Sequence, residues 1–75
     1  MPSLPILSGR EVVRALAEDG WKVVRQRGSH MILVKDGNMA TLSVPDHREV
    51  AKGTLRSLIR SSGLSVDEFL DLTRK

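Results

Sequence analysis

The hydrophobic positions fall into two kinds of pattern, one of helical and one of strand period. Ser8-Gly9-Arg10-Glu11 has the form of a capping box, with Leu7 and Val12 placed as a hydrophobic staple just outside and just inside it. Val12, Val13, Leu16 and Ala17 then form an apolar stripe at helical spacing, and Gly20 provides a stop. This predicts a helix over about residues 9–19. The period then shortens. Trp21 to Gln26 is β-branched and runs into a turn signal at Arg27-Gly28-Ser29. His30 to Lys35 is an apolar run of strand length, and Asp36-Gly37-Asn38 is a hairpin turn. Met39 to Val44 closes the meander with Ala40, Leu42 and Val44 on one face, and Pro45 ends it. After a polar connection over 46–51 the helical period returns. Leu55, Leu58 and Ile59 make a second stripe stopped by Gly63, and a capping box at Ser65-Val66-Asp67-Glu68 opens a short last helix with Phe69, Leu70 and Leu72.

The expected fold is therefore α+β, with order helix, three-stranded antiparallel sheet, helix, short C-terminal helix. This is the order of a double-stranded-RNA-binding-domain-like fold, with its helices on one sheet face. Residues 1–75 are expected to form a single domain. A chain of this size buries only about 60% of its unfolded surface, so its core is thin.

Composition narrows the chemistry. With no cysteine there is no disulfide framework and no thiolate metal site. Met1 to Leu7 lacks a basic leader region and is interrupted by Pro2 and Pro5. No apolar run is long enough to span a membrane. The expectation is a cytoplasmic protein. Residues 21–60 carry eight basic and three acidic side chains, a local charge of +5, between segments of −1 on either side. A basic middle suits a polyanion, although an ordinary solvated face has the same composition. Trp21 and Phe69 are the only aromatics, too few to stack bases as RRM sheets and OB-folds do. Nucleic acid would be met through phosphates, 2′-hydroxyls and shape.

Candidate chemistry rests on two histidines. His30 follows Arg27-Gly28-Ser29, where Gly28 allows a close approach of backbone to ligand and Ser29 offers a hydroxyl. Arg25 and Arg27 add positive charge. Histidine is the side chain suited to moving a proton near neutrality, so His30 can take one from a ribose 2′-OH beside a bound phosphate. The oxygen so activated attacks its own phosphodiester, a step that needs no metal. The alternative is a strand-start histidine that only hydrogen-bonds. His47, in the connection after Pro45, is either a second acid/base group or an exposed loop residue. Lys52-Gly53-Thr54 opens the second helix, where free amides, a lysine and a hydroxyl suit a phosphate; the alternative is a Thr54 helix cap. Arg56 and Arg60, one turn apart, would extend the basic face. Asp46 and Glu49 are too few for a two-metal nuclease, and neither a metal site nor a cofactor is expected.

Several of these stretches together resemble the HicA family of bacterial and archaeal toxins. They are Leu7-Ser8-Gly9, Gly20-Trp21, Arg27-Gly28-Ser29-His30, Val44-Pro45 with His47, Lys52-Gly53-Thr54-Leu55-Arg56 and Val66-Asp67-Glu68-Phe69-Leu70, in the family's order over roughly residues 7–70. Trp21 stands where the family often has Phe or Tyr. The resemblance implies the toxin of a type II toxin–antitoxin system: a ribosome-independent, metal-independent mRNA interferase. The histidine of the Gly-Ser-His motif carries that activity and maps onto His30, with Gly28 and Ser29 in the other two places. It further implies a HicB-type antitoxin that covers the site and supplies the only DNA contact. Two readings compete with a ribonuclease: a non-catalytic module that binds duplex RNA, and an inert protein whose basic face docks an acidic partner.

Overall fold

A computed structural model describes residues 3–75; Met1 and Pro2, part of the N-terminal stretch read above, lie outside the described residues. Helix α1 (Gly9–Glu18) starts from a complete capping box. The Glu11 amide donates to Ser8 Oγ at 3.1 Å, and the Ser8 amide donates to Glu11 Oε1 at 2.9 Å. Leu7 and Val12 are both buried, as the staple requires. The buried stripe is Val12, Ala15 and Leu16, with Val13 half-buried. Ala17, expected in that stripe, is exposed, because it lies well over a quarter-turn round the helix from Val12 and Leu16.

Three antiparallel strands follow in the order β1 (Lys22–Arg27), β2 (His30–Lys35) and β3 (Asn38–Pro45), with β2 central. Trp21, expected to open β1, lies just before it and is buried in the core; its Nε1 has no hydrogen-bond partner among the described residues. Alternation sorts β2 cleanly. Met31 and Leu33 face the core beside Leu42 and Val44 of β3, while His30, Ile32 and Val34 point the other way. Helix α2 (Lys52–Ser62) buries Leu55, Leu58 and Ile59, and ends at Gly63, whose φ of 82° is the left-handed stop. Helix α3 (Val66–Thr73) repeats the capping box with Ser65 and Glu68 and buries Phe69. All three helices pack through one apolar cluster on the Met31/Leu33 side of the sheet. The fold is the α-β-β-β-α order with a short C-terminal helix that the sequence implies. Among the described residues no helix is long and apolar enough to cross a membrane.

The 46–51 connection, read as polar, contributes Val50 to the core. Three backbone bonds tie it down: Val50 N–H to the Leu7 carbonyl (2.8 Å), Gly9 N–H to the His47 carbonyl (2.9 Å) and Asp46 N–H to the Ser29 carbonyl (2.7 Å). Gly9 is essential to this join. A Cβ there would stand 1.9 Å from the Pro45 carbonyl oxygen, so only glycine lets the start of α1 press against the end of β3.

Candidate active site

His30 owes its position to the β1–β2 hairpin. Arg27 and His30 form the closing pair, and Gly28 and Ser29 are the two loop residues. Gly28 has φ of +59° while Ser29 does not enter the left-handed region, the requirement of a type II′ turn. His30 is thus the first residue of the central strand, paired to Arg27 on one side and Pro45 on the other. Its backbone is held on both flanks while its ring is exposed on the face away from the helices. The ring has one hydrogen-bond partner among the described residues, Ser43 of β3, with Oγ 3.3 Å from Nδ1.

A bulge decides what surrounds it. Lys22 pairs with Val34 and Val23 with Leu33, but the next pair is Arg25 with Ile32, so Val24 is an extra residue in β1. Strict alternation from Lys22 would turn Arg25 and Arg27 toward the helices. The extra residue shifts the phase, and both arginines come to the open face beside Ile32 and His30. Neither arginine makes an ion pair among the described residues. Both are exposed.

The bond from Asp46 to the Ser29 carbonyl brings the 46–51 connection against the hairpin turn. Asp46 also accepts from Arg10 Nε at 3.4 Å. His47 is exposed; its carbonyl anchors α1, and its ring makes no hydrogen bond among the described residues. Lys52 and Thr54 lie in the first turn of α2, at the far end of this connection. The cap there is Ala51, which has no side-chain acceptor, and not Thr54, which sits inside the helix. The first-turn amides of α2 therefore lack the side-chain partner that α1 and α3 supply for themselves.

Of the expected site residues, Arg25, Arg27, Gly28, Ser29 and His30 thus form one cluster. His47 lies in the connection that is bonded to Ser29, and Lys52 and Thr54 follow that connection in the first turn of α2. Arg56 and Arg60 stand apart: they line a groove of about 280 Å³ between α2 and α3, with Ile59, Leu64, Ser65 and Val66, in the helical layer. Sequence reasoning missed Ser43. Its signal was parity: pairing Lys35 with Asn38 across the turn puts Ser43 on the same face as His30. Among the described residues no group of three His, Asp or Glu side chains gathers as metal ligands would.

Fold and site together define a small α+β protein of the double-stranded-RNA-binding-domain-like type, with an exposed histidine on a basic, helix-free sheet face. The profile of the HicA toxins of bacterial toxin–antitoxin systems matches residues 9–64, and the chain belongs to that family. Among solved structures it is similar to a chain of a toxin–antitoxin complex from Streptococcus pneumoniae. The two share 30% identity over 77% of this chain and 98% of that one, with a TM-score of 0.69. No curated protein matches.

Proposed function

We propose that this HicA-family toxin is a metal-independent, ribosome-independent endoribonuclease that cleaves mRNA, with residues 1–75 working as one domain and His30 as the catalytic residue. The observation that carries the reading is the placement of His30: exposed at the start of the central strand, with Arg25 and Arg27 on the same face. The arginines neutralise the phosphate of the scissile bond, with Ser29 and the backbone at Gly28 beside them. Nε2 of His30 takes the proton from the ribose 2′-OH, and the resulting oxygen attacks the adjacent phosphorus. The P–O5′ bond breaks, leaving a 2′,3′-cyclic phosphate, and the 5′-oxygen takes up a proton. His47 is the candidate donor, with a lysine or water as the alternatives. Lys52 and Thr54, at the open amide end of α2, hold a neighbouring phosphate. Arg56 and Arg60 lie apart from this site in the groove between α2 and α3, and they extend the RNA path only for an RNA that runs past the start of α2 onto the helical layer. The chemistry asks for no cofactor.

A HicB-type antitoxin is the expected protein partner. The similar solved chain comes from a toxin–antitoxin complex, and an antitoxin laid over the open face would cover His30. DNA contact would come only through that partner, and the cytoplasm is where toxin, antitoxin and mRNA meet.

The test is cleavage of a long mRNA in excess chelator by wild type and His30→Ala. Loss of general base catalysis is expected to lower the rate about 10²- to 10⁴-fold. Stability should change by less than about 0.5 kcal/mol, because the ring is exposed. Cleavage at full rate by His30→Ala would overturn the mechanism. RNA binding without cleavage by either protein would favour the duplex-RNA-binding module.

A further inference from the structure

We infer that Ser43 is the positioning residue of this site: its hydroxyl accepts the Nδ1 proton of His30 and leaves Nε2 as the nitrogen that meets substrate. The inference rests on the ribonuclease reading and deepens it. Ser43 of β3 pairs with Ile32, two pairs along from His30 and so on the same face, and both side chains stand on the open side of the sheet. Oγ lies 3.3 Å from Nδ1, a long bond of the kind that tightens when substrate binds. Among the described residues Ser43 Oγ has no other hydrogen-bond partner.

A hydroxyl can donate or accept, so the direction of the bond must be argued. If Ser43 donated to Nδ1, the neutral ring would carry its proton on Nε2 and hold no lone pair there for a 2′-OH. The bond would also have to reverse once the ring became imidazolium, because both nitrogens then donate. With Ser43 as acceptor, Nδ1–H stays where it is while Nε2 takes up and releases a proton. Nothing has to rotate during the reaction. The charged groups around the ring are Arg27 across the pair on β1, Arg25 two pairs further, and Asp46 just past β3. Asp46 pairs with Arg10 and makes neither a hydrogen bond nor an ion pair with the His30 ring among the described residues, and the guanidinium groups of the two arginines have no acceptor for the Nδ1 proton. Ser43 is the side chain left for that role.

Neutral histidine in water prefers its proton on Nε2, so the proposed contact shifts a population that can be read directly. The experiment is long-range ¹H–¹⁵N correlation of the side-chain nitrogens in the full chain above neutral pH, with His30 assigned by comparison with His47→Gln. Wild type should show protonated Nδ1 and bare Nε2, Ser43→Ala should revert toward the Nε2–H form, and Ser43→Thr should restore the wild-type pattern. In the cleavage assay Ser43→Ala should lower kcat about 2- to 10-fold, the effect of one neutral hydrogen bond, with KM unchanged and with rescue by threonine. An Nε2–H wild-type ring, or one indifferent to Ser43→Ala, overturns the inference even in an active enzyme. A wild type that shows the Nδ1–H pattern but cleaves no RNA overturns the ribonuclease reading and leaves the contact itself confirmed.

Discussion

The two faces of β2 do opposite work with residues that alternate one by one. Met31 and Leu33 point into the helical layer and, with Leu42 and Val44 of β3, form the centre of the core. His30, Ile32 and Val34 point outward, and the arginines of β1 and Ser43 of β3 join them. The apolar driving force thus acts on one side of the sheet, while the polar groups on the other stay hydrated. A strand of period two lets a small protein keep its chemistry off its core. The outward face can be changed without touching the packing, and packing can be lost without altering the site's composition.

Neighbouring substitutions on this strand should separate the two faces by the largest margin. Leu33 is 0% exposed, so Leu33→Ala should cost about 2–5 kcal/mol, against a total stability of about 4–11 kcal/mol for a chain of this size. Ile32→Ala, half-buried on the open face, should cost less than about 1.5 kcal/mol. Urea unfolding of both variants measures the difference. Equal losses would mean that the outward face is covered in solution, by a second copy or another partner.

A smaller effect should come from deleting Val24. The bulge is what brings Arg25 and Arg27 to the face of His30, and every residue of β1 is exposed, so removing the extra residue should leave the core intact. Without Val24 the remaining pairs run in strict alternation, Val23 opposite Leu33 and Arg25 opposite Ile32, so both arginines keep the face of His30. Under the proposed function both phosphate contacts are then retained. The slope of log K against log salt for RNA binding should match that of wild type, whereas loss of both contacts would flatten it by about 1.4–1.8. A flattened slope would show that the strand slips in register and turns the arginines inward when Val24 is removed.

Where one physical signal dominated, the sequence was readable. Both capping boxes, the turns at Gly28 and Gly37 and the stop at Gly63 involve contacts within four residues, and each appears in the structure. The stripe of α2 was equally plain, because Leu55, Leu58 and Ile59 can all face one way only on a helix. The face of His30 was not readable, since Met31 to Val34 is apolar at every position. Only burial by α1 and α2 decides which half is the core. Non-local features were also hidden. The bulge at Val24 depends on the partner strand, the need for Gly9 depends on the Pro45 carbonyl, and Val50 looks polar by its neighbours until Leu7 binds its amide. The cluster from Arg25 to His30 was legible because it is contiguous in the chain, whereas Ser43 is thirteen residues from His30 and needed the register.

The division between closed and open also holds at the helix starts, and it supplies the smallest effect. α1 and α3 bind their first amides with their own Ser and Glu side chains, while α2 begins at Ala51 with none. The Glu11 carboxylate is held below the usual glutamate range, first by the Ser8 backbone N–H, then by the Ser8 side chain and by Arg14. A carboxylate with a lowered folded-state pKa stabilises the fold fully above the ordinary glutamate value. That contribution is lost as pH falls through the lowered one. Glu11→Gln retains an oxygen for the Ser8 amide but has no charge to lose. Wild type should therefore exceed Glu11→Gln in stability at neutral pH, and the gap should close on acidification through the glutamate range and below. Urea midpoints of the two proteins across that interval give the comparison. A gap that is independent of pH would assign the difference to the geometry of the cap and not to the charge of the carboxylate.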